Sequence, residues 1–235
     1  MQGMKHIGIA GVSAEGAFLC CRIIQNEAPQ RLGVDLPPQV VLHMHPFAAY
    51  RDCLACDDWS GVTELLVDSI DRLRRAGADF AIIPANAPHV AIDAVTQRAS
   101  LPVINLIALS AAECRRKGFR RVAILGAIWT MTSGLYLDPM RRAGIEAISP
   151  SPADQEIIQT IITEELQSNR ISAESSRELL AIVGKMQAQG CDAALLACTE
   201  LPLALTSENC SIPVIDTTRL LALAAIDVAG GREIM

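Results

Sequence analysis

No apolar stretch of this chain reaches the length of a membrane span. With 20 Lys and Arg against 26 Asp and Glu, the formal net charge is −6. That balance argues against a nucleic-acid partner or an anionic membrane surface. Residues 1–12 lack the charged-then-apolar layout of a secretory signal, so the cytoplasm is the expected location. Gly8-Ile9-Ala10-Gly11 does not have the spacing of a dinucleotide fingerprint, and no phosphate loop is present. No lysine stands in a pyridoxal context and no metal cluster is visible, so no cofactor and no metal are expected. The eight cysteines, at 20, 21, 53, 56, 114, 191, 198 and 210, follow no regular disulfide framework. In a chain of this length most read as small buried hydrophobes of a reducing compartment. Asn209-Cys210-Ser211 matches a glycosylation sequon by chance. Hydrophobic content of 51% with 20% charge leaves a compact, well-cored protein.

What is there is a repeat. Gly77-Ala78-Asp79-Phe80-Ala81-Ile82-Ile83 returns as Gly190-Cys191-Asp192-Ala193-Ala194-Leu195-Leu196, and each apolar run ends eight residues after its glycine, at Ala85 and at Cys198. Leu101-Pro102-Val103 is echoed by Ile212-Pro213-Val214. A chain that repeats a strand and its exit loop builds two similar halves, and strand exits are where such folds keep their chemistry. One exit carries a thiol and the other a methyl group.

Strands are expected at Ile7–Gly11, Val40–His43, Phe80–Ile83 and Val103–Leu106, then at Val122–Leu125, Glu146–Ile148, Ala193–Leu196 and Val214-Ile215. Helices are expected near 15–27, from Ser60 to the arginines before Gly77, and near 88–98, 131–143, 154–167, 173–189 and 217–229. The alternation predicts an α/β protein of two similar lobes, each a mainly parallel sheet flanked by helices, related by a pseudo-twofold with the active site in the cleft. Residues 1–105 with 214–235 form the first expected lobe, and 106–213 the second.

Cys198-Thr199-Glu200 is the sharpest local feature. A thiol at the C-terminal end of a strand faces a ligand or is a buried structural cysteine, and nearby amides are placed to lower its pKa. Asn86 and Thr199 occupy matching slots after the paired positions, where they bind a carboxylate or cap turns. Ser13 and Thr130 sit at the exits of the two first strands, where helix N-termini attract anions; N-capping is the alternative for Thr130. His89 is a candidate acid or base, or a hydrogen-bonded neighbour. Cys53-Leu54-Ala55-Cys56 has redox or zinc-knuckle spacing but neither a second pair nor an adjacent histidine. His43 and His45 alternate along one strand face and are placed to line the cleft; two imidazoles alone do not define a metal site.

Over nearly its whole length the chain resembles the cofactor-independent aspartate/glutamate racemase family. The resemblance rests on Ile9-Ala10-Gly11-Val12-Ser13, on Gly77-Ala78-Asp79-Phe80 leading to Pro84-Ala85-Asn86-Ala87-Pro88-His89, on Ser133-Gly134-Leu135-Tyr136, on Ala197-Cys198-Thr199-Glu200, and on Ile212-Pro213-Val214-Ile215-Asp216. It implies two cysteines facing each other across the cleft. One takes the α-proton of an amino acid while the other delivers a proton from the opposite face, with hydrogen bonds to the substrate carboxylate stabilising the carbanion in a site closed to water. It implies a homodimer, no cofactor, and substrate contacts at Ser13, Asn86, Ala87, Thr130, Thr199 and Glu200. Cys198 matches the second family cysteine. The first position is Ala85, a vacant cysteine position. The loop at 43–50 lacks the arginine that aspartate racemases use for the side-chain carboxylate, and Arg51 is out of register. Thr163 and Gln167 stand where a tyrosine and a lysine are expected.

The first expectation is therefore a racemase or epimerase of a small acidic amino acid, with Cys198 as one base and His89 or a bound water as the other. The alternatives are a single-cysteine decarboxylase of a malonate-type acid, where loss of carbon dioxide itself creates the enolate, and a non-catalytic homologue that binds a small carboxylate.

Overall fold

A computed structural model describes residues 3–168 and 170–233. The chain divides into two compact units, one of residues 1–106 with 218–235 and one of residues 107–217.

The first unit opens with β1 (Ile7–Gly11), whose five residues are all buried. Ser13 then accepts a hydrogen bond from the Gly16 amide and starts α1 (Ala14–Leu32), the N-cap geometry that hydroxyl side chains favour. The edge strand β2 (Val40–Met44) and a second helix α2 (Phe47–Ala55) follow. Asp58 caps α3 (Trp59–Arg75) through the Gly61 amide at 2.9 Å. Val62, Leu66, Ile70 and Leu73 make the buried stripe of that helix, at the spacing an amphipathic helix requires. The short β3 (Phe80–Ile82) leads into a 3₁₀ turn at 87–91 and then α4 (Ile92–Arg98). The sheet is parallel, in the order β2-β1-β3.

The second unit contains α5 (Leu106–Arg116, its first residue counted with the first unit), β4 (Arg121–Gly126), α6 (Ile128–Thr132), α7 (Leu137–Arg142) and β5 (Glu146–Ile148). It continues with α8 (Pro152–Glu164), α9 (Ala173–Ala188), β6 (Ala193–Ala197) and β7 (Val214–Asp216). Its parallel sheet has the order β5-β4-β6-β7. Ile158, Ile161, Ile162, Leu179, Ile182, Val183 and Met186 of α8 and α9 pack with Ala194 and Leu196 into one core. The last helix, α10 (Thr217–Ala229), lies almost wholly in the first unit.

The sequence repeat has a physical cause that the hydrogen bonds make explicit. Asp79 accepts from the His6 amide at 2.7 Å and its own amide donates to the His6 carbonyl at 2.9 Å, locking the start of β3 to β1. Asp192 accepts from the Arg120 and Arg121 amides at 2.7 and 3.2 Å and donates back to the Arg121 carbonyl at 2.9 Å, locking β6 to β4. The two glycines before them, Gly77 and Gly190, have φ of +96° and +90°, a conformation that side chains resist. Further on, Ala81 donates to the Pro102 carbonyl at 2.8 Å and Ala194 to the Pro213 carbonyl at 2.9 Å. Both units thus share one topology, with the fourth strand of the first unit reduced to a bridge between Ala81 and Val103.

Several expectations change. The strand expected at Val103–Leu106 is only that bridge, because the chain turns into α5 at Leu106. The helix expected at 131–143 is two, broken where Gly134 takes φ of +72°. Val214-Ile215, assigned to the first lobe from the sequence, pairs with β6 and belongs to the second sheet. All eight cysteines are free, yet only Cys20, Cys114 and Cys191 are buried, fewer than expected. Among the described residues no helix is long and apolar enough to cross a membrane.

Candidate active site

The β6 exit carries the Cys198 thiol. Residues 193–197 are all buried, Cys198 is half-buried, and Thr199 and Glu200 are buried again. The strand therefore delivers a single side chain to a partly open position. The Cys198 Sγ–H donates to Glu200 Oε2 at 2.9 Å. Burial, then the Glu200 charge and that hydrogen bond, push the thiol well above its ordinary pKa, while the Thr199 and Glu200 amides pull the other way. The expected lowering by amides is present as a contribution and is outweighed: a carboxylate beside a desolvated sulfur penalises a second negative charge. The resting group is a protonated thiol with a proton acceptor in contact.

This predicts the behaviour of Glu200→Gln. Removing the carboxylate charge lowers the Cys198 pKa, so at fixed pH alkylation of the Cys198 peptide by iodoacetamide, followed by mass spectrometry, becomes faster. An unchanged or slower rate would show that Glu200 does not set the thiol's protonation.

The neighbouring exit of β4 shapes the space beside it. A Cβ on Gly126 would lie 2.7 Å from the Ala197 carbonyl oxygen, so only glycine lets the two strands run this close. Thr130 is buried in α6, its amide donating to the Ala127 carbonyl at 2.9 Å. The first amide of that helix, Ile128, is satisfied by Gln159 Oε1 at 2.8 Å. Gln159 was not singled out from the sequence; its only signal is a polar residue inside the apolar run of α8.

In the first unit the equivalent exit is Ala85, half-buried between the buried Pro84 and Asn86. Ser13 is engaged as the cap of α1, and Asn86 and Ala87 are buried at the start of the 3₁₀ turn. His89 is buried, with Nδ1 donating to the Ala85 carbonyl at 2.8 Å and Nε2 accepting from the Leu106 amide at 3.3 Å. Both ring nitrogens are committed to backbone groups. Burial lowers its pKa to about 4 against weaker opposing backbone bonds. In the structure the ring of His89, considered from the sequence as an acid or base, holds the carbonyl of residue 85. Arg51, on the exposed face of α2, pairs with Asp52. Thr163 is exposed, its hydroxyl donating to carbonyls of its own helix.

Because His89 is neutral when folded but titrates near 6.5 when unfolded, the unfolded chain binds the extra proton between those values. Its contribution to stability is complete above pH 6.5 and falls as pH drops towards 4, by about 3 kcal/mol in total. Urea unfolding of His89→Gln should show a flatter pH dependence over that window than the parent; an equal slope would refute the assignment.

Comparison with known proteins identifies relatives of the whole fold. The sequence profile of the Asp/Glu/Hydantoin racemase family matches residues 9–225. The broad specificity amino-acid racemase RacX of Bacillus subtilis is 24% identical over 189 residues, covering 80% of this chain and 81% of that protein. A crystal structure of a candidate Asp/Glu racemase from Yersinia pestis superimposes with a TM-score of 0.87 at 30% identity, over 96% of this chain and 99% of that one. An aspartate racemase homologue from Pyrococcus horikoshii gives 0.84 at 26% identity, again over 96% and 99%.

Proposed function

The chain belongs to the Asp/Glu/Hydantoin racemase family, and from that premise we propose that it is a cofactor-independent enzyme of proton transfer at Cα of a small amino acid, with Cys198 as its one thiol acid/base. The observation that carries this reading is the Cys198–Glu200 contact at the half-open end of β6. Glu200 takes up the thiol proton, the thiolate removes the α-proton, and the electron pair of the C–H bond passes to the carbanion. Exchange of the sulfur-bound proton with solvent, its delivery from sulfur to carbon, and return of the Glu200 proton to the thiolate close the cycle. Hydrogen bonds to the substrate carboxylate, from Thr199, Asn86, Ser13 or Thr130, are part of the proposal, since the carbanion forms only if its charge is stabilised.

One base serves one face of Cα. With a methyl group at position 85, the chain exchanges the α-proton more readily than it inverts the centre. Arg51 and Thr163 offer no partner for a second substrate carboxylate, which favours amino acids other than aspartate. A second reading draws on the same thiol: a sulfur held protonated suits the quenching of an enolate left when a malonate-type acid loses carbon dioxide.

The test is incubation of the full chain with L- and D-amino acids in deuterated water, following Cα by NMR, beside substituted malonates followed by carbon dioxide release. Deuterium uptake supports the first reading. Release of carbon dioxide without uptake transfers the assignment to the second, and neither event rejects both.

A further inference from the structure

The end of β2 carries a second cluster, of residues that have no part in the reading above. His43 and the residue just past the strand, His45, project to the same side, as positions i and i+2 must, with ring centroids 4.9 Å apart and planes at 83°. Asp68 of α3 approaches them, with Oδ2 at 2.9 Å from His45 Nε2. One ligand-type atom from each of the three lies within 4.8 Å of the others. The sequence reading of no metal cluster rested on the two imidazoles alone; the third member comes from a helix 23 positions further on.

Two details separate this cluster from an ordinary ion pair. His45 Nε2 is shielded from solvent and meets Asp68 Oδ2 at 2.9 Å without a well-aligned hydrogen bond. Two ligands of one ion face each other in this way, each aimed at the metal and not at the other. His43, in turn, has Nδ1 bonded to the buried Ser69 Oγ at 3.0 Å, which leaves Nε2 as its open nitrogen. That arrangement, one ring nitrogen anchored to an outer partner, is how metal-binding histidines are held.

We propose that His43, His45 and Asp68 form a binding site for one divalent transition-metal ion of the zinc class. Two imidazole nitrogens and one carboxylate oxygen suit zinc, cobalt or nickel and leave coordination positions open to water or a small ligand. Closing on an ion draws the three atoms to roughly 3–3.5 Å apart, the separation set by bonds near 2.1 Å. His45 Nε2 and Asp68 Oδ2, at 2.9 Å, need only a small separation to reach that spacing. Arg72 donates to the same Oδ2 at 2.7 Å, but its guanidinium is half exposed and the carboxylate has a second oxygen to offer.

The experiment is titration of the full chain with cobalt, read by visible absorption, and with zinc, read by calorimetry. Because the eight cysteines are rival ligands, the spectrum matters: nitrogen and oxygen ligation lacks the intense near-ultraviolet band of cobalt-thiolate. The expected result is one equivalent bound without that band, with affinity reduced at least about tenfold by His45→Ala and by Asp68→Asn. Asp68→Asn, at a half-exposed position, decides the matter if His45→Ala does not fold. No saturable binding, a thiolate band, or binding indifferent to Asp68→Asn overturns the site.

Discussion

In Cys198→Ala, uptake of solvent deuterium at Cα falls by about 10²–10⁴-fold, the share of rate that a positioned general acid or base supplies. The loss is expected in the rate constant for exchange more than in substrate affinity, because the thiol proposed here acts on the C–H bond and not on the carboxylate. Cys198→Ser is the sharper control. Its hydroxyl has nearly the shape of the thiol and can donate to Glu200 Oε2 as the sulfur does, but it is a far weaker acid. Exchange should therefore drop in Cys198→Ser almost as far as in the alanine variant while the fold is kept. Survival of exchange in either variant would take Cys198 out of the chemistry and leave the Cys198–Glu200 contact as a structural one.

The parts of this molecule that the sequence made legible are those where one residue type has one physical use. The echo of Gly77 and Asp79 in Gly190 and Asp192 marked two matching strand starts; the positive φ and the amide locks behind it came from the structure. Equal topology followed in the two units. Legibility failed where apolar residues have no periodicity to choose by: Val103–Leu106 reads as a strand until Leu106 is seen to open α5. It failed again for α2, whose N-cap is Pro46 with no side-chain bond to announce it. In the site, the strand exits were visible and the balance of charge was not. Glu200 lies two residues from Cys198, and only the fold decides whether its carboxylate turns back to the sulfur. His89 shows the reverse case, a titratable residue beside a strand exit whose two nitrogens are consumed by Ala85 and Leu106.

The vacancy at position 85 yields the complementary result. Ala85→Cys should convert exchange into racemisation, raising the rate of inversion by at least about 10²-fold, because a base missing from a two-base reaction limits it as severely as a general acid helps one. The local structure tolerates the change. Residue 85 already has a Cβ, is half-buried, and has its backbone fixed by the Ile83 carbonyl at 2.8 Å from its amide and by His89 at its carbonyl. The added sulfur replaces a hydrogen without overpacking a closed core, so thermal stability should stay close to that of the parent. Adding Cys198→Ala to Ala85→Cys provides the decisive arm. If the two thiols act as a pair, the double variant loses the gained inversion entirely, a non-additive outcome that independent sites do not give. Inversion unchanged by Ala85→Cys, in a folded protein that still exchanges its α-proton, would mean that position 85 is not the counterpart of Cys198 in the reaction, however closely the two strand exits repeat each other in sequence.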